Sequence, residues 1–114
     1  MNFFKHKVLF RCDAADIPEL GTGHLYRCLT IAKSLKKNFD LKNRDIVFLI
    51  KSENKYKKGL EILNHYKFKI IKIKDSKLKP NSIKEAKYLS KYPSKLLVID
   101  RLGKSNLSFF KIIN

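Results

Sequence analysis

The chain has 114 residues, of which 44% are hydrophobic; this suffices for one small domain with a modest core and argues against disorder. No apolar run approaches the roughly 20 residues of a membrane-spanning helix, and residues 1–7 lack the apolar segment of a signal peptide, so we expect a cytoplasmic protein. The net charge is +16, and the basic residues are 22 Lys and only 4 Arg. Arginine is expected where nucleic acids are read by paired hydrogen bonds. This excess of lysine therefore indicates a solvated lysine-rich surface.

A strand, a loop and a helix are predicted at the start of the chain. Lys7–Arg11 is a short apolar run that fits a buried strand. Pro18 and Gly21 argue against regular structure in the loop that follows. From Gly23 the pattern becomes helical, with apolar residues on one stripe of the helix up to position 35. The stripe consists of Leu25, Cys28, Leu29, Ala32 and Leu35.

Three further pairs of strand and helix follow a polar connection. The predicted strands are 45–50, 68–73 and 96–100, and the predicted helices are 55–66, 81–91 and 105–113. The first of these strands is continuously apolar, which suits a strand covered on both faces. Lysines within and beside the second favour a position at the sheet edge. Asn81 or Ser82 caps the helix at 81–91, which has Ile83, Ala86 and Leu89 on one face.

This alternation of strands and helices predicts an α/β fold. Its Rossmann-like form has three layers, with four parallel strands in the order βαβαβαβα and right-handed crossovers. Ligands bind such folds beyond the carboxyl ends of the strands, where neighbouring crossovers diverge. We therefore expect three groups of residues to line one rim: 11–13, 51–53 and 100–102.

The loop between the first strand and the first helix is a candidate anion site. Gly21 and Gly23 lie at its end, and His24 opens the helix, where free backbone N–H groups and the helix dipole favour negative charge. The glycine spacing is neither that of a nicotinamide dinucleotide site nor that of a P-loop. A sugar phosphate is the kind of ligand that this arrangement suits.

The two cysteines, Cys12 and Cys28, are interpreted as reduced thiols, and Cys28 is expected in the core because it lies on the apolar stripe. Neither a Cys-x-x-Cys nor a His-x-x-x-His spacing occurs, and two cysteines cannot close a tetrahedral zinc site. We expect no disulfide, no metal and no cofactor. The basic surface could still attract nucleotide-sugars or anionic lipid headgroups, so a peripheral membrane contact stays open.

Two blocks of sequence carry a resemblance to a known family. Phe10–Asp13 with Gly21–Ala32 resembles the N-terminal signature of the UDP-sugar hydrolases of pseudaminic acid biosynthesis. Related spore-coat polysaccharide proteins and glycosyltransferases of the GT-B fold have a similar signature. Leu97–Asp100, followed by Gly103, looks like a second block of the same family.

The resemblance implies a GT-B architecture, in which two Rossmann-like halves face each other across a cleft. The N-terminal half handles the sugar, and the C-terminal half handles the nucleotide. The chain covers about a third of the usual length, so we expect residues 1–114 to form one N-terminal domain without the nucleotide half. A UDP-sugar is the implied substrate, and a separate C-terminal half is an implied partner.

The family's site residues map onto this chain through the same motifs. His24 corresponds to the general base, which would deprotonate a water that attacks the anomeric carbon and expels UDP with inversion. Asp13 would orient the loop or bind a sugar hydroxyl, and Asp100, the second expected catalytic residue, would lie across the rim. The substrate would be bound by Arg11, Asp13, Gly21, Gly23 and Arg27.

Two departures from the family pattern leave the sugar, and the choice between hydrolase and transferase, open. The loop after Asp13 is longer and contains Pro18, and Leu102 stands where the family often has an aromatic residue. Each charged candidate also has a structural alternative: surface ion pairs for the arginines, loop capping for Asp13, and a structural role at the strand end for Asp100. The alternative function is a non-catalytic basic module that binds nucleic acid or an acidic partner.

Overall fold

The computed structural model describes residues 6–13, 23–74, 77–100 and 107–113, and these form strands and helices in strict alternation. The strands are β1 (His6–Arg11), β2 (Ile46–Lys51), β3 (Lys69–Ile73) and β4 (Ser94–Ile99). The α-helices are α1 (Gly23–Phe39), α2 (Lys57–His65), α3 (Ile83–Leu89) and α4 (Leu107–Ile113). Short 3₁₀ turns at Asn43–Asp45 and Asn54–Tyr56 precede β2 and α2.

The four strands form one parallel sheet in the order β3-β2-β1-β4. Helices α1 and α2 pack on one face of the sheet, and α3 and α4 pack on the other. The predicted α/β, Rossmann-like three-layer fold is therefore confirmed. The predicted position of β3 at an edge is also confirmed, and its Lys69 and Lys72 are exposed there.

The centre of the sheet is buried on both faces. All six residues of β2 are buried, as its continuously apolar sequence predicts for a strand covered on both faces. Phe10 of β1 stacks on Phe48 of β2 with 4.7 Å between ring centroids, and Phe48 contacts Phe68 at 5.3 Å. These rings lie beneath α1 and α2 and fix the position of both helices on the sheet.

The apolar stripe of α1 faces the sheet as predicted. Leu25, Cys28, Leu29 and Ala32 are buried, and Leu35 packs against the same cluster. The helix continues to Phe39, past the end of the stripe, and stops where Asp40 adopts a left-handed conformation with φ 53°. This packing holds the first turn of α1 beside the carboxyl ends of β1 and β4.

One predicted helix face is partly wrong. Ala86 and Leu89 of α3 are buried, but Ile83 is 48% exposed, and the charged Glu85 is buried instead. Ser82 is the cap, since its Oγ accepts a hydrogen bond from the N–H of Glu85 at 3.1 Å. Glu85 is buried because it pairs with a charged residue of β1, which an analysis of periodicity does not register.

The remaining differences concern the ends of elements. The helix predicted at 55–66 begins as a 3₁₀ turn, and the part of the last predicted helix before Leu107 lies outside the described residues. In the part of the chain that the structure describes, no helix combines the length and the apolar character needed to cross a bilayer.

Candidate active site at the carboxyl edge of the sheet

The candidate site lies where the connections after β1 and β4 diverge. The chain leaves β1 towards α1 on one face of the sheet, whereas it leaves β4 towards α4 on the other. Asp100, the residue after β4, stays next to β1 because its N–H donates a hydrogen bond to the carbonyl oxygen of Arg11 at 3.3 Å. This is the place where ligands bind in open parallel sheets.

Three side chains predicted from the sequence meet at this point. His24, in the first turn of α1, places its Nδ1 2.8 Å from Oδ1 of Asp100. Arg27, one turn further along α1, donates from Nε to Oδ2 of Asp100 at 2.7 Å and from Nη2 to Oδ1 at 2.8 Å. The side chains of His24, Asp100 and Arg27 are 15%, 20% and 60% exposed, so the cluster is open to solvent mainly on the side of Arg27.

The charge state of Asp100 follows from these contacts. The paired hydrogen bonds from Arg27 lower the pKa of Asp100 below its ordinary value, and the contact with His24 acts in the same direction against the opposing effect of burial. The same pairing raises the pKa of Arg27. Asp100 is therefore an ionised carboxylate at neutral pH, and both of its oxygens can only accept hydrogen bonds.

Two contacts of Nδ1 bear on which nitrogen of His24 holds the proton in the neutral ring. A carboxylate oxygen 2.8 Å from Nδ1 favours a proton on that nitrogen, because two lone pairs at this distance would repel each other. Nη2 of Arg27, which can only donate, lies 2.7 Å from the same Nδ1 and favours a lone pair there, so the two contacts of Nδ1 favour opposite tautomers. With the proton on Nδ1, Nε2 of the neutral ring keeps its lone pair, and among the described residues no side chain hydrogen-bonds to Nε2.

Of the two predicted binding glycines, Gly23 lies among the described residues and Gly21 does not. Gly23 is exposed at the start of α1, and a Cβ added there would first meet Nη1 of Arg27 at 3.9 Å, which is ordinary contact. Side chains would therefore fit at this position. Gly21, the other predicted binding glycine, lies outside the described residues, as do positions 101 and 102 of the predicted rim.

Arg11 and Asp13 belong to a second cluster, which is buried. Nε of Arg11 donates to Oε2 of Glu85 at 3.1 Å, and its Nη1 lies 2.9 Å from Oδ2 of Asp13. Asp13 accepts a hydrogen bond from the backbone N–H of Lys51 at 2.9 Å, which ties the end of β1 to the end of β2. The structure thus brings Arg11 and Asp13 together with each other, but it does not bring them to His24.

Burial and the two carboxylates act in opposite directions on Arg11, which is 0% exposed. Burial alone would lower the pKa of Arg11, but the negative charges of Asp13 and Glu85 outweigh it and raise the pKa above its ordinary value. The observed contacts of Arg11 are those of an internal ion pair, and a contact with substrate stays a prediction. The part that Glu85 plays in this cluster was not predicted from the sequence, although Ser82 followed three residues later by Glu85 is a capping signature.

Both cysteines are free and buried, Cys12 at the end of β1 and Cys28 on α1. A hydrogen bond with Cys28 and burial raise the pKa of the Cys12 thiol well above its ordinary value. Cys12 therefore stays protonated, and a protonated thiol is a poor nucleophile. Within the described ranges, no group of three or more His, Cys, Asp or Glu side chains could hold a metal ion.

Comparisons of this chain with protein-family models, with curated proteins and with solved structures found no match.

Proposed function

We propose that this chain is the sugar-handling half of a cytoplasmic nucleotide-sugar hydrolase or glycosyltransferase that acts at the anomeric carbon of a UDP-sugar. The motif around His24 and the block ending at Asp100 support the substrate class through their resemblance to such enzymes. The contact between these two side chains supports the reaction type, because it joins the two motifs, 76 residues apart, in one cluster.

The contact between His24 and Asp100 is the observation that carries the proposal. A carboxylate that accepts a hydrogen bond from Nδ1 orients the ring, holds one tautomer and stabilises the positive charge that develops when Nε2 takes up a proton. This is the arrangement that a general base needs, and such a base contributes about 10²- to 10⁴-fold to a rate.

In the proposed reaction, Nε2 of His24 removes a proton from a water molecule as the water oxygen forms a bond to the anomeric carbon. The bond between that carbon and the diphosphate oxygen breaks, its electron pair leaves with UDP, and the configuration inverts. In a transferase the hydroxyl of an acceptor takes the place of water. Arg27 is the proposed contact for the diphosphate, since its guanidinium is exposed and pairs with Asp100 through only part of its donors.

A titration followed by NMR tests this proposal. Uniformly labelled protein is titrated with a panel of UDP-sugars and with UDP alone, and the amide signals of Gly23, His24 and Asp100 are followed. UDP-sugars are expected to shift these signals, and UDP alone is expected to shift them less because this half handles the sugar. The absence of any shift at these residues with the whole panel would contradict the proposal.

A pair of matched variants tests the role of the base. His24→Gln is expected to abolish UDP release in any reaction that contains this chain, including one supplemented with a separate nucleotide-binding half. His65→Gln, at an exposed histidine of α2, is the control and should leave the rate unchanged. Equal rates for His24→Gln and the parent chain would remove His24 from the mechanism.

A further inference from the structure

The outward surface of α1 has exposed apolar side chains. Tyr26 is 49% exposed and Ile31 is 39% exposed. Together with Gly23, Arg27 and Thr30 they line a shallow hollow of about 390 Å³. The guanidinium of Arg27 reaches Asp100 from the edge of this hollow. The hollow is thus an apolar patch on an otherwise charged surface.

The charge around this hollow is positive and largely unopposed. Helix α1 contains no acidic residue, and Lys33 and Lys37 are exposed along it. A second hollow on the far side of Tyr26 is lined in part by Lys58, and Glu61 is the acidic residue among its lining. Apolar exposure and positive charge therefore coincide on this surface.

The opposite layer of the fold has a similar charge but a different distribution of apolar side chains. Its exposed apolar residues, Ile83 and Phe110, lie on two separate short helices, α3 and α4. Lys87 and Lys91 supply exposed positive charge on that layer. This layer is a natural control, because, among the described side chains, α3 and α4 each have a single large exposed apolar residue beside their lysines, whereas Tyr26 and Ile31 line one hollow on α1.

We propose that the outward surface of α1 docks on an anionic lipid bilayer. Tyr26 and Ile31 would enter the boundary between headgroups and acyl chains, and Lys33 and Lys37 would lie among the negative headgroups. Lysine suits this attraction by diffuse charge, whereas reading a nucleic acid would favour arginine, of which the chain has only 4 against 22 Lys. Because Gly23 and Arg27 border both the hollow and the His24 cluster, docking would place that cluster at the level of the headgroups.

A fluorescent reporter tests the insertion directly, since the chain contains no tryptophan. Tyr26→Trp places a single tryptophan in the hollow, and Phe110→Trp places one at a similarly exposed position on α4. On mixing with vesicles of phosphatidylserine and phosphatidylcholine, the emission of Tyr26→Trp is expected to move to shorter wavelength, and that of Phe110→Trp is not. A shift at neither position, or an equal shift at both, overturns the proposal.

Matched charge reversals separate this surface from general attraction by a basic protein. Lys33→Glu with Lys37→Glu is expected to weaken partitioning into these vesicles at least about tenfold, whereas Lys87→Glu with Lys91→Glu changes it much less. Circular dichroism establishes that both double variants are folded. Equal losses would show that net charge alone is responsible and would overturn the proposal.

A single-stranded RNA oligonucleotide serves as the competing probe. The proposal predicts that the two double variants lose oligonucleotide binding equally, because no face is specialised for it. If only the α1 variant lost oligonucleotide binding while it kept vesicle binding, the surface would be a nucleic-acid interface, and the proposal would be wrong.

Discussion

Two clusters of arginine and carboxylate lie at the same edge of the sheet, and they differ chiefly in burial. Arg11 is 0% exposed and pairs with Asp13 and Glu85. Arg27 is 60% exposed and pairs with Asp100. The proposed resemblance to a sugar-enzyme signature includes both arginines, but the structure gives them different surroundings. A matching motif therefore does not show which of its charged residues can reach a ligand.

Burial also changes what each cluster contributes to stability. Removing one partner of a buried ion pair leaves a charge without compensation in a medium of low polarity, whereas an exposed pair exchanges readily with water. We therefore infer that the Arg11 cluster holds β1, β2 and α3 together, and we keep substrate binding by the Arg27 cluster as a proposal. Four predictions test this distinction, from the largest expected effect to the smallest.

The largest effect is expected for Arg11→Met. The substitution removes the buried guanidinium that Asp13 and Glu85 both contact, and we expect the free energy of unfolding to fall by about 3–5 kcal/mol. Denaturation by urea measures this, with Arg44→Met at an exposed arginine as the control. If Arg11→Met is not folded, Glu85→Gln provides a milder test, and no loss of stability in Glu85→Gln would contradict a structural role for the pair.

Arg27→Met should show the opposite profile. We expect the free energy of unfolding to fall only slightly, and much less than for Arg11→Met, because the guanidinium is exposed. We also expect about tenfold weaker binding of a UDP-sugar, because a charge-assisted contact to the diphosphate is lost. NMR titration measures the affinity. A variant that unfolds early but binds normally would reverse the assignments of the two clusters.

The pH dependence of stability is expected to include a smaller contribution from Asp100. Its pKa is lowered in the folded state, so its pairing with Arg27 stabilises the fold fully above the ordinary pKa of 3.8 and progressively less as the pH falls through the lowered value. The difference in unfolding free energy between the parent chain and Asp100→Asn should therefore shrink in that acidic range. A difference that grows on acidification would show that the pKa of Asp100 is raised instead.

The smallest effect concerns the two thiols. Because Cys12 and Cys28 are buried and the pKa of Cys12 is raised, neither should react measurably with a disulfide reagent at neutral pH in the folded protein. Both should react at once in denaturant. Rapid reaction of the native protein would mean that the end of β1 opens to solvent.

The sequence predicted the architecture well because burial on this sheet follows simple patterns. The continuous apolar run of β2 can be buried only in a strand that is covered on both faces, and the single apolar stripe of α1 can be buried only by facing the sheet. The predicted buried face was wrong at α3, where Ile83 is exposed and Glu85 is buried. The buried charge of Glu85 is paired with Arg11, which lies 74 residues away in the sequence. The local periodicity of α3 carries no information about a residue so distant.

The candidate site was predictable in its members but not in its pairing. The expected position of ligands beyond the carboxyl ends of the strands, together with the resemblance to the family signature, predicted His24 and Asp100 at one edge. Neither indicated that Arg27 rather than Arg11 would bind Asp100. The difference arises from orientation, since Arg11 on β1 points to the layer of α3 while Arg27 is presented by α1 on the other face. Glu85 was missed because its capping pattern indicated only a helix start.

The position of the ring proton on His24 is the most direct test of the account. Correlation of the ring nitrogens with the ring carbon protons by ¹⁵N NMR distinguishes the two neutral tautomers. We predict a proton on Nδ1, held by Asp100, and a bare Nε2, with a mixture of tautomers appearing in Asp100→Asn. A proton on Nε2 in the parent chain, with Nδ1 accepting a hydrogen bond from Arg27, would leave no base facing a substrate and would contradict the central claim.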